Sequence, residues 1–152
     1  MPTEIERKFL VAGDFRPQVI DSWPIVQGYL SKDPQRTVRV RVLGQQGFLT
    51  IKSKSNQAGT TRGEWEYEIP LAEAHELLSL CLPGVIEKTR YLVRHEQSNF
   101  EVDLFHGVHE GLAIAEIELT SSDQSFDRPT WLGAEVTGDP RYYNSYLSQQ
   151  PV

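Results

Sequence analysis

The most constraining feature of this chain is a strict two-residue alternation that recurs along its length and gives each affected segment one charged face. In EIERKFL (residues 4–10), two glutamates and a lysine lie on one side, opposite Ile5 and Phe9. In TVRVRVL (residues 37–43), the arginines lie opposite the valines. Successive side chains of a strand point to opposite faces of a sheet. The pattern therefore predicts strands that each have an apolar face and a charged face.

The same alternation continues in FLTIKSK (48–54), RGEWEYEI (62–69), EKTRYLVR (87–94), FEVDLF (100–105) and AEIELT (115–120), and WPIVQGYLS (23–31) reads as a further strand. A sheet with one solvent-exposed face also has alternating polar and apolar side chains. Such an exposed face normally mixes Thr, Ser, Gln and Lys, whereas these faces are concentrated in Arg and Glu. If the sheet closes with its apolar face outward, the charged rows line a lumen. A barrel of about eight strands leaves just enough room inside for side chains or one small ligand.

We therefore expect an α+β, mainly β fold, in which a closed eight-stranded antiparallel barrel with a charged lumen is covered by a few helices. One helix is predicted over Leu71–Leu82 because its apolar residues recur at helical spacing after Pro70. Another is predicted near the C-terminus, where Asp139 and Pro140 resemble an N-cap and a first-turn proline. The length of 152 residues suits one domain spanning residues 1–152.

Composition narrows the class of partner. The formal net charge of −6 argues against general affinity for nucleic acid, which rests on an excess of basic residues. No apolar run approaches the roughly 20 residues of a membrane span, and the N-terminal residues lack the pattern of a signal peptide. A cytoplasmic protein without membrane or nucleic-acid partners is expected, while the sequence leaves open a monomer or a homodimer.

The charged faces indicate what the lumen holds. Buried charges are costly unless they pair or meet a charged ligand. Guanidinium and ammonium groups from different strands would converge on an anion with many oxygens, such as a phosphate chain; these groups belong to Lys8, Arg39, Arg41, Lys52, Lys88 and Arg90. Hard oxygen ligands suit Mg²⁺ or Mn²⁺; they belong to Glu4, Glu6, Asp103, Glu116 and Glu118. Together the two sets favour metal-assisted phosphoryl transfer.

The order of these motifs resembles that of the CYTH proteins, also called triphosphate tunnel metalloenzymes. The opening EIERK has their E-x-E-x-K form, followed by VRVR, LTIK, the R-x-E-x-E-x-E run, EKTRY, VD, AEIEL and EVTGDPRYYN. The compact chain is most similar to the bacterial inorganic tripolyphosphatases. The resemblance implies that the six basic residues bind a linear triphosphate and that the four glutamates, with help from Asp103, hold the metal.

The resemblance implies hydrolysis of inorganic tripolyphosphate to pyrophosphate and phosphate. We expect Lys8 and Lys52 to hold the attacking water or the terminal phosphate. The leaving pyrophosphate is expected to be stabilised by Arg39, Arg41 and Arg90. Three further basic residues occupy strand positions that also point into the lumen, but we expect them nearer the end of the tunnel; they are Arg62, Lys54 and Arg94. The glutamates of residues 64–68 are expected mainly to pair with arginines.

Three alternatives stay open. The same tunnel could cyclise ATP or cleave an organic triphosphate such as thiamine triphosphate, if a ring pocket exists at its mouth. A non-catalytic module that senses polyphosphate or a nucleotide would use the basic rows alone, but it would gain nothing from the carboxylates. A small lipocalin-like carrier would need an apolar lumen, which the charge pattern does not supply.

Overall fold

The computed structural model describes residues 3–147, which form strands, short 3₁₀ turns and two α-helices. The strands are β1 (Thr3–Val11), β2 (Val19–Ser31), β3 (Arg36–Leu43), β4 (Gln46–Ser53), β5 (Thr61–Ile69), β6 (Ile86–His95), β7 (Ser98–Phe105), β8 (Ala113–Glu118) and β9 (Leu132–Glu135). The helices are α1 (Leu71–Leu80) and α2 (Asn144–Leu147), and the 3₁₀ turns are Arg16–Gln18, Gly107–His109 and Pro140–Tyr142. Within this part of the chain, no helix is long and apolar enough to cross a membrane.

Eight of these strands close into an antiparallel barrel, which confirms the predicted fold. Their order is β5-β4-β3-β2-β6-β7-β8-β1, and Thr3–Ile5 of β1 pairs back onto Thr61–Gly63 of β5. The β1–β5 contact is short because β1 then leaves β5 and pairs instead with β9 near Phe9 and Val11. The ninth strand is an addition that the sequence did not predict.

The apolar faces of the strands point outward, as the alternation predicts. Phe9, Phe100 and Val102 pack on one side of the barrel with Phe15 and Trp131, which come from the connecting segments. On another side, α1 covers β3 and β4, and Ala74 contacts the same cluster as Val40. Removal of these surfaces from water stabilises the closed barrel by about 25 cal/mol for each Å² of apolar area.

One end of the lumen is filled by apolar side chains. Phe105 pairs with Lys88, and Ile114 pairs with Asp103; since directly paired residues share a face of the sheet, both point inward. They cluster with Ile86 and with Leu147 of α2. The C-terminal helix was expected to cover the outside of the barrel, but Leu147 lies instead at this end, which we call the floor.

Candidate active site

A cavity of about 230 Å³ occupies the barrel interior above the floor. That is smaller than the roughly 300–1,000 Å³ pockets that hold drug-sized ligands. Every predicted phosphate ligand contributes to its wall, as do four of the predicted metal ligands: Lys8, Arg39, Arg41, Lys52, Lys88 and Arg90, with Glu4, Glu6, Glu116 and Glu118. The structure thus brings together these cations and carboxylates from five different strands, β1, β3, β4, β6 and β8.

Three guanidinium groups converge on one side of the cavity. Arg39 and Arg41 extend from β3 and Arg90 from β6, and the Nε atoms of Arg39 and Arg41 are buried without a hydrogen-bond partner in the described chain. Burial, together with the neighbouring Arg39 and Arg90 charges, lowers the pKa of Arg41 to about 10. Unpartnered buried donors of like charge mark a place for an anion.

A second basic group is already paired. Lys52 Nζ lies 3.0 Å from Glu4 Oε2 and 3.3 Å from Glu64 Oε2, and Arg62 Nε lies 3.6 Å from Glu4 Oε1. These contacts join β4, β1 and β5 where the barrel closes. Of the three glutamates expected to pair with arginines, Glu66 lies 3.6 Å from Arg41 Nη2. Glu64 contacts Lys52 instead, and Glu68 accepts from Gln46 Nε2 at 3.5 Å. Arg62 contributes to the cavity wall, whereas Lys54 and Arg94 are exposed.

Asp103 lies outside the cavity wall and is bonded to two of the basic groups. Its Oδ1 accepts from Arg90 Nε at 2.7 Å, and its Oδ2 accepts from Lys88 Nζ at 2.6 Å and from Arg90 Nη2 at 2.9 Å. Burial opposes ionisation of Asp103, but Arg90 and Lys88 outweigh it and lower its pKa to about 2. Because both oxygens are occupied by cations, Asp103 orients Lys88 and Arg90 in this structure.

The remaining carboxylates fit a hard divalent cation. Glu6 lies between Lys8 and Glu4 along β1, and its side chain shares a hydrogen bond with that of Glu116. Burial and the charges of Glu116 and Glu4 raise the pKa of Glu6 well above its usual value. Opposed carboxylates that hold one proton between them are a suitable oxygen donor set for a metal that displaces that proton.

The carboxylates alone do not form a complete coordination shell for a metal ion. Within residues 3–147, no group of three or more His, Cys, Asp or Glu side chains is arranged to enclose a metal ion. Mg²⁺ is usually held by one or two carboxylates together with water and substrate phosphates. Glu118, which pairs with Glu6 and lies in the cavity wall although exposed, fits the outer edge of such a site.

Six further residues, which the sequence pattern did not assign to the site, contribute to the cavity wall: Tyr29, Thr37, Thr50, Glu101, Tyr143 and Asn144. Tyr29 pairs with Arg39, and Glu101 pairs with Glu116. Strand parity could have identified these two. Tyr143 and Asn144 follow a 3₁₀ turn in the C-terminal segment, where no period of two exists to reveal them.

Two proteins named inorganic triphosphatase are similar to this chain over nearly its whole length. The chain is 49% identical over 152 residues to an inorganic triphosphatase of Acetivibrio thermocellus, with 99% of this chain and 96% of that protein covered. It is 38% identical over 150 residues to an inorganic triphosphatase of Nitrosomonas europaea, with 96% and 97% covered.

Two solved structures are also similar to this chain. The structure of an inorganic triphosphatase matches with a TM-score of 0.70 and 36% identity, over 97% of this chain and 99% of that one. A Pyrococcus horikoshii protein at 20% identity shares the fold, with a TM-score of 0.61 over 79% of this chain and 80% of that one. The family model that describes the CYTH domain matches residues 2–143. The chain therefore belongs to the CYTH domain family.

Proposed function

We propose that this protein hydrolyses inorganic tripolyphosphate to pyrophosphate and phosphate inside the barrel. The inorganic triphosphatases that it resembles at 49% and 38% identity support this assignment. The observation that carries it is the cavity inside the barrel, where buried Nε donors of Arg39 and Arg41 have no partner in the described chain and carboxylates line the same wall. An anion with many oxygens satisfies those donors, and a cation satisfies the carboxylates.

The basic residues bind the substrate along the cavity. Arg39, Arg41 and Arg90 offer forked guanidinium donors that match phosphate oxygens, and Lys88 adds an ammonium group next to Arg90. These charges come from rigid strands, and Asp103 holds two of them in place. A preorganised set of this kind needs little rearrangement when the substrate arrives.

CYTH triphosphatases depend on a metal ion, and we assign Mg²⁺ or Mn²⁺ here. Glu4, Glu6, Glu116 and Glu118 would hold it, since their oxygens suit hard cations and face the same cavity. When bound, the metal supplies positive charge that offsets the negative charge on the phosphoryl oxygens. Asp103 is left out of this set because it is not part of the cavity wall and its oxygens bind Arg90 and Lys88. Glu4 stays in the set because it lines the cavity, although it also pairs with Lys52.

In the reaction, a water oxygen forms a bond to the terminal phosphorus while the bond from that phosphorus to the bridging oxygen breaks. The electron pair of the broken bond leaves with pyrophosphate, and the water proton goes to solvent or to the product phosphate. We assign Lys8 and Lys52 to hold the terminal phosphate and the attacking water. Arg39 stabilises the leaving pyrophosphate, and one such contact contributes about 3 to 4 kcal/mol to transition-state stabilisation.

We assign inorganic tripolyphosphate rather than a triphosphate that carries a base or ring because the two relatives are named inorganic triphosphatases. Trp131 is 3% exposed and packs in the apolar cluster outside the barrel. Trp65 lies at a position of β5 whose side chain points away from the lumen. Neither of these two tryptophans lines the cavity, and the aromatic side chains that do line it are those of Tyr29 and Tyr143.

The test is phosphate release from tripolyphosphate, ATP and thiamine triphosphate, each measured with Mg²⁺, Mn²⁺, Ca²⁺ and EDTA. We expect turnover of tripolyphosphate with Mg²⁺ or Mn²⁺ and none with EDTA. Preferential conversion of ATP to cyclic AMP would replace the proposal with a cyclase. Tight tripolyphosphate binding without metal-dependent turnover would replace it with a sensor module.

A further inference from the structure

The C-terminal segment contributes a polar group to the floor of the cavity. Asn144, the first residue of α2, belongs to the cavity wall. Its Oδ1 accepts from Lys88 Nζ at 2.9 Å and from Gln27 Nε2 at 2.8 Å. A residue 56 positions away in the chain therefore contacts one of the basic groups assigned to the substrate.

Because Lys88 is buried, its contact with Asn144 affects the direction in which its ammonium donors point. Lys88 is 2% exposed, so solvent does not satisfy its ammonium group. That group has three N–H donors, of which one goes to Asp103 and one to Asn144. With two donors fixed by acceptors on different elements, the direction of the third is set as well. Since Lys88 is part of the cavity wall, the third donor is the one available to a bound anion.

Asn144 is itself held in a fixed orientation. Gln27 extends from β2 and is fully buried, and its Nε2 donates to the same Asn144 oxygen. Nearby, Leu147 is buried in the floor cluster, and Lys8 Nζ donates to the carbonyl of Tyr142 at 3.4 Å. These contacts attach the C-terminal segment to β1, β2 and β6 at once.

We propose that Asn144 is a positioning residue that aims the free donor of Lys88 at the substrate, so that the binding site is complete only when the C-terminal segment lies across the floor. This inference rests on the proposed function, because it takes tripolyphosphate as the anion. Asn144 acts through Lys88 and takes no part in bond making or breaking.

The test is a double-mutant cycle that combines Asn144→Leu with Lys88→Met, read out as the dissociation constant for tripolyphosphate in EDTA. Calorimetry without metal measures binding in the absence of turnover. We expect Asn144→Leu to weaken binding about tenfold, the loss expected for one misdirected charge-assisted hydrogen bond. In the Lys88→Met background the same substitution should change binding less than twofold, since the group that it positions is gone.

Controls separate positioning from a loss of fold. Tyr146 lies on the same helix and is 40% exposed, so Tyr146→Ala should bind like the wild type. With metal present, Asn144→Leu should raise KM about tenfold and leave kcat within about twofold, whereas partial unfolding would lower kcat at constant KM. Asn144→Ala replaces the leucine variant if the latter does not fold.

The inference is overturned if Asn144→Leu binds tripolyphosphate like the wild type, or if its effect persists in full without Lys88. A wild type that binds tripolyphosphate but does not hydrolyse it overturns the proposed function alone, because the binding cycle can still be completed. A wild type that neither binds tripolyphosphate in EDTA nor hydrolyses it with Mg²⁺ or Mn²⁺ overturns both.

Discussion

Arg41 Nη2 lies 3.6 Å from Glu66 Oε2, on two strands separated by β4. The separation is longer than a hydrogen bond, and Glu66 also accepts from Thr50 Oγ1 at 3.2 Å. Arg41 therefore stays a buried cation without full compensation, and its Nε has no partner in the described chain. A buried cation without full compensation destabilises the unliganded protein, and an anionic ligand can supply the missing counter-charge.

We predict that Arg41→Ala lowers kcat/KM for tripolyphosphate by about 100-fold or more, the scale of one lost transition-state donor. Arg36→Ala is the matched control, because Arg36 starts the same strand but is exposed and paired with Asp33. Steady-state phosphate release measures both. An equal loss in the two variants would mean that Arg41 has no special place in the site.

The same substitution should leave the unliganded protein as stable as the wild type or more stable. Burial and the charges of Arg39 and Arg90 disfavour the Arg41 cation, and its removal relieves that repulsion. Thermal unfolding without anion or metal checks this expectation. A strong fall in Tm would show that Arg41 supports the fold more than it strains it.

We predict that Glu6→Gln raises the metal concentration needed for half-maximal activity by at least tenfold. The substitution keeps the shape of the side chain but removes a charged oxygen from the pair with Glu116. Glu87→Gln, on the exposed face of β6, should leave the metal dependence unchanged. Titration of activity with Mn²⁺ distinguishes the two, and an unaltered Glu6→Gln curve would remove Glu6 from the metal site.

Asp103→Asn should destabilise the protein by about 3 to 5 kcal/mol, because it leaves Lys88 and Arg90 buried without their counter-charge. Asp14→Asn is the control, since Asp14 is largely exposed beside Arg16. Urea unfolding at neutral pH measures the difference. A cost no larger than that of the control would mean that the buried pairs do not need Asp103.

Asp103 also sets an acid dependence. Its pKa of about 2 lies below the unfolded value of 3.8, so its stabilising contribution is fully present above pH 3.8 and is lost as pH falls towards 2. By linkage this contribution is about 2 kcal/mol. Urea unfolding between pH 2 and 5 should show that loss in the wild type and a smaller one in Asp103→Asn, and parallel curves would refute this assignment.

Gly59 and Gly138 bring the β4–β5 loop against the C-terminal segment. Both have positive φ, and a Cβ on Gly59 would lie only 2.7 Å from the Gly138 nitrogen. Gly107 has a similar φ of +71° but open space around it. We predict that Gly59→Ala costs about 1 to 3 kcal/mol more than Gly107→Ala in unfolding free energy, because only the first adds a clash. Equal costs would show that the loop moves freely.

The sequence predicts the barrel and most of its wall for a physical reason. Burial selects every second side chain of a strand, so the Arg39 and Arg41 pair can be read directly from VRVR. Asp103 shares this parity, but its pairing with Lys88 and Arg90 depends on the strand order. The alternation along a strand predicts which side chains point into the barrel, but it does not predict which ion pairs they form there.

The C-terminal segment was harder to predict. Asp139 and Pro140 do start a turn, and Asp139 caps Arg141 N, as their types suggest. The turn ends at Tyr143, which has extended backbone, and α2 then begins at Asn144. The position of Asn144 beside Lys88 follows from long-range packing on the floor, which no local pattern encodes.

The most direct test of the account is a crystal structure with Mn²⁺ and a non-hydrolysable imidotriphosphate. We predict a linear chain of phosphate density against Arg39, Arg41 and Arg90 inside the barrel, with an anomalous Mn²⁺ peak at the carboxylates of Glu6 and Glu116. An analogue bound on the outer surface, or a metal peak away from the glutamates, would contradict the account.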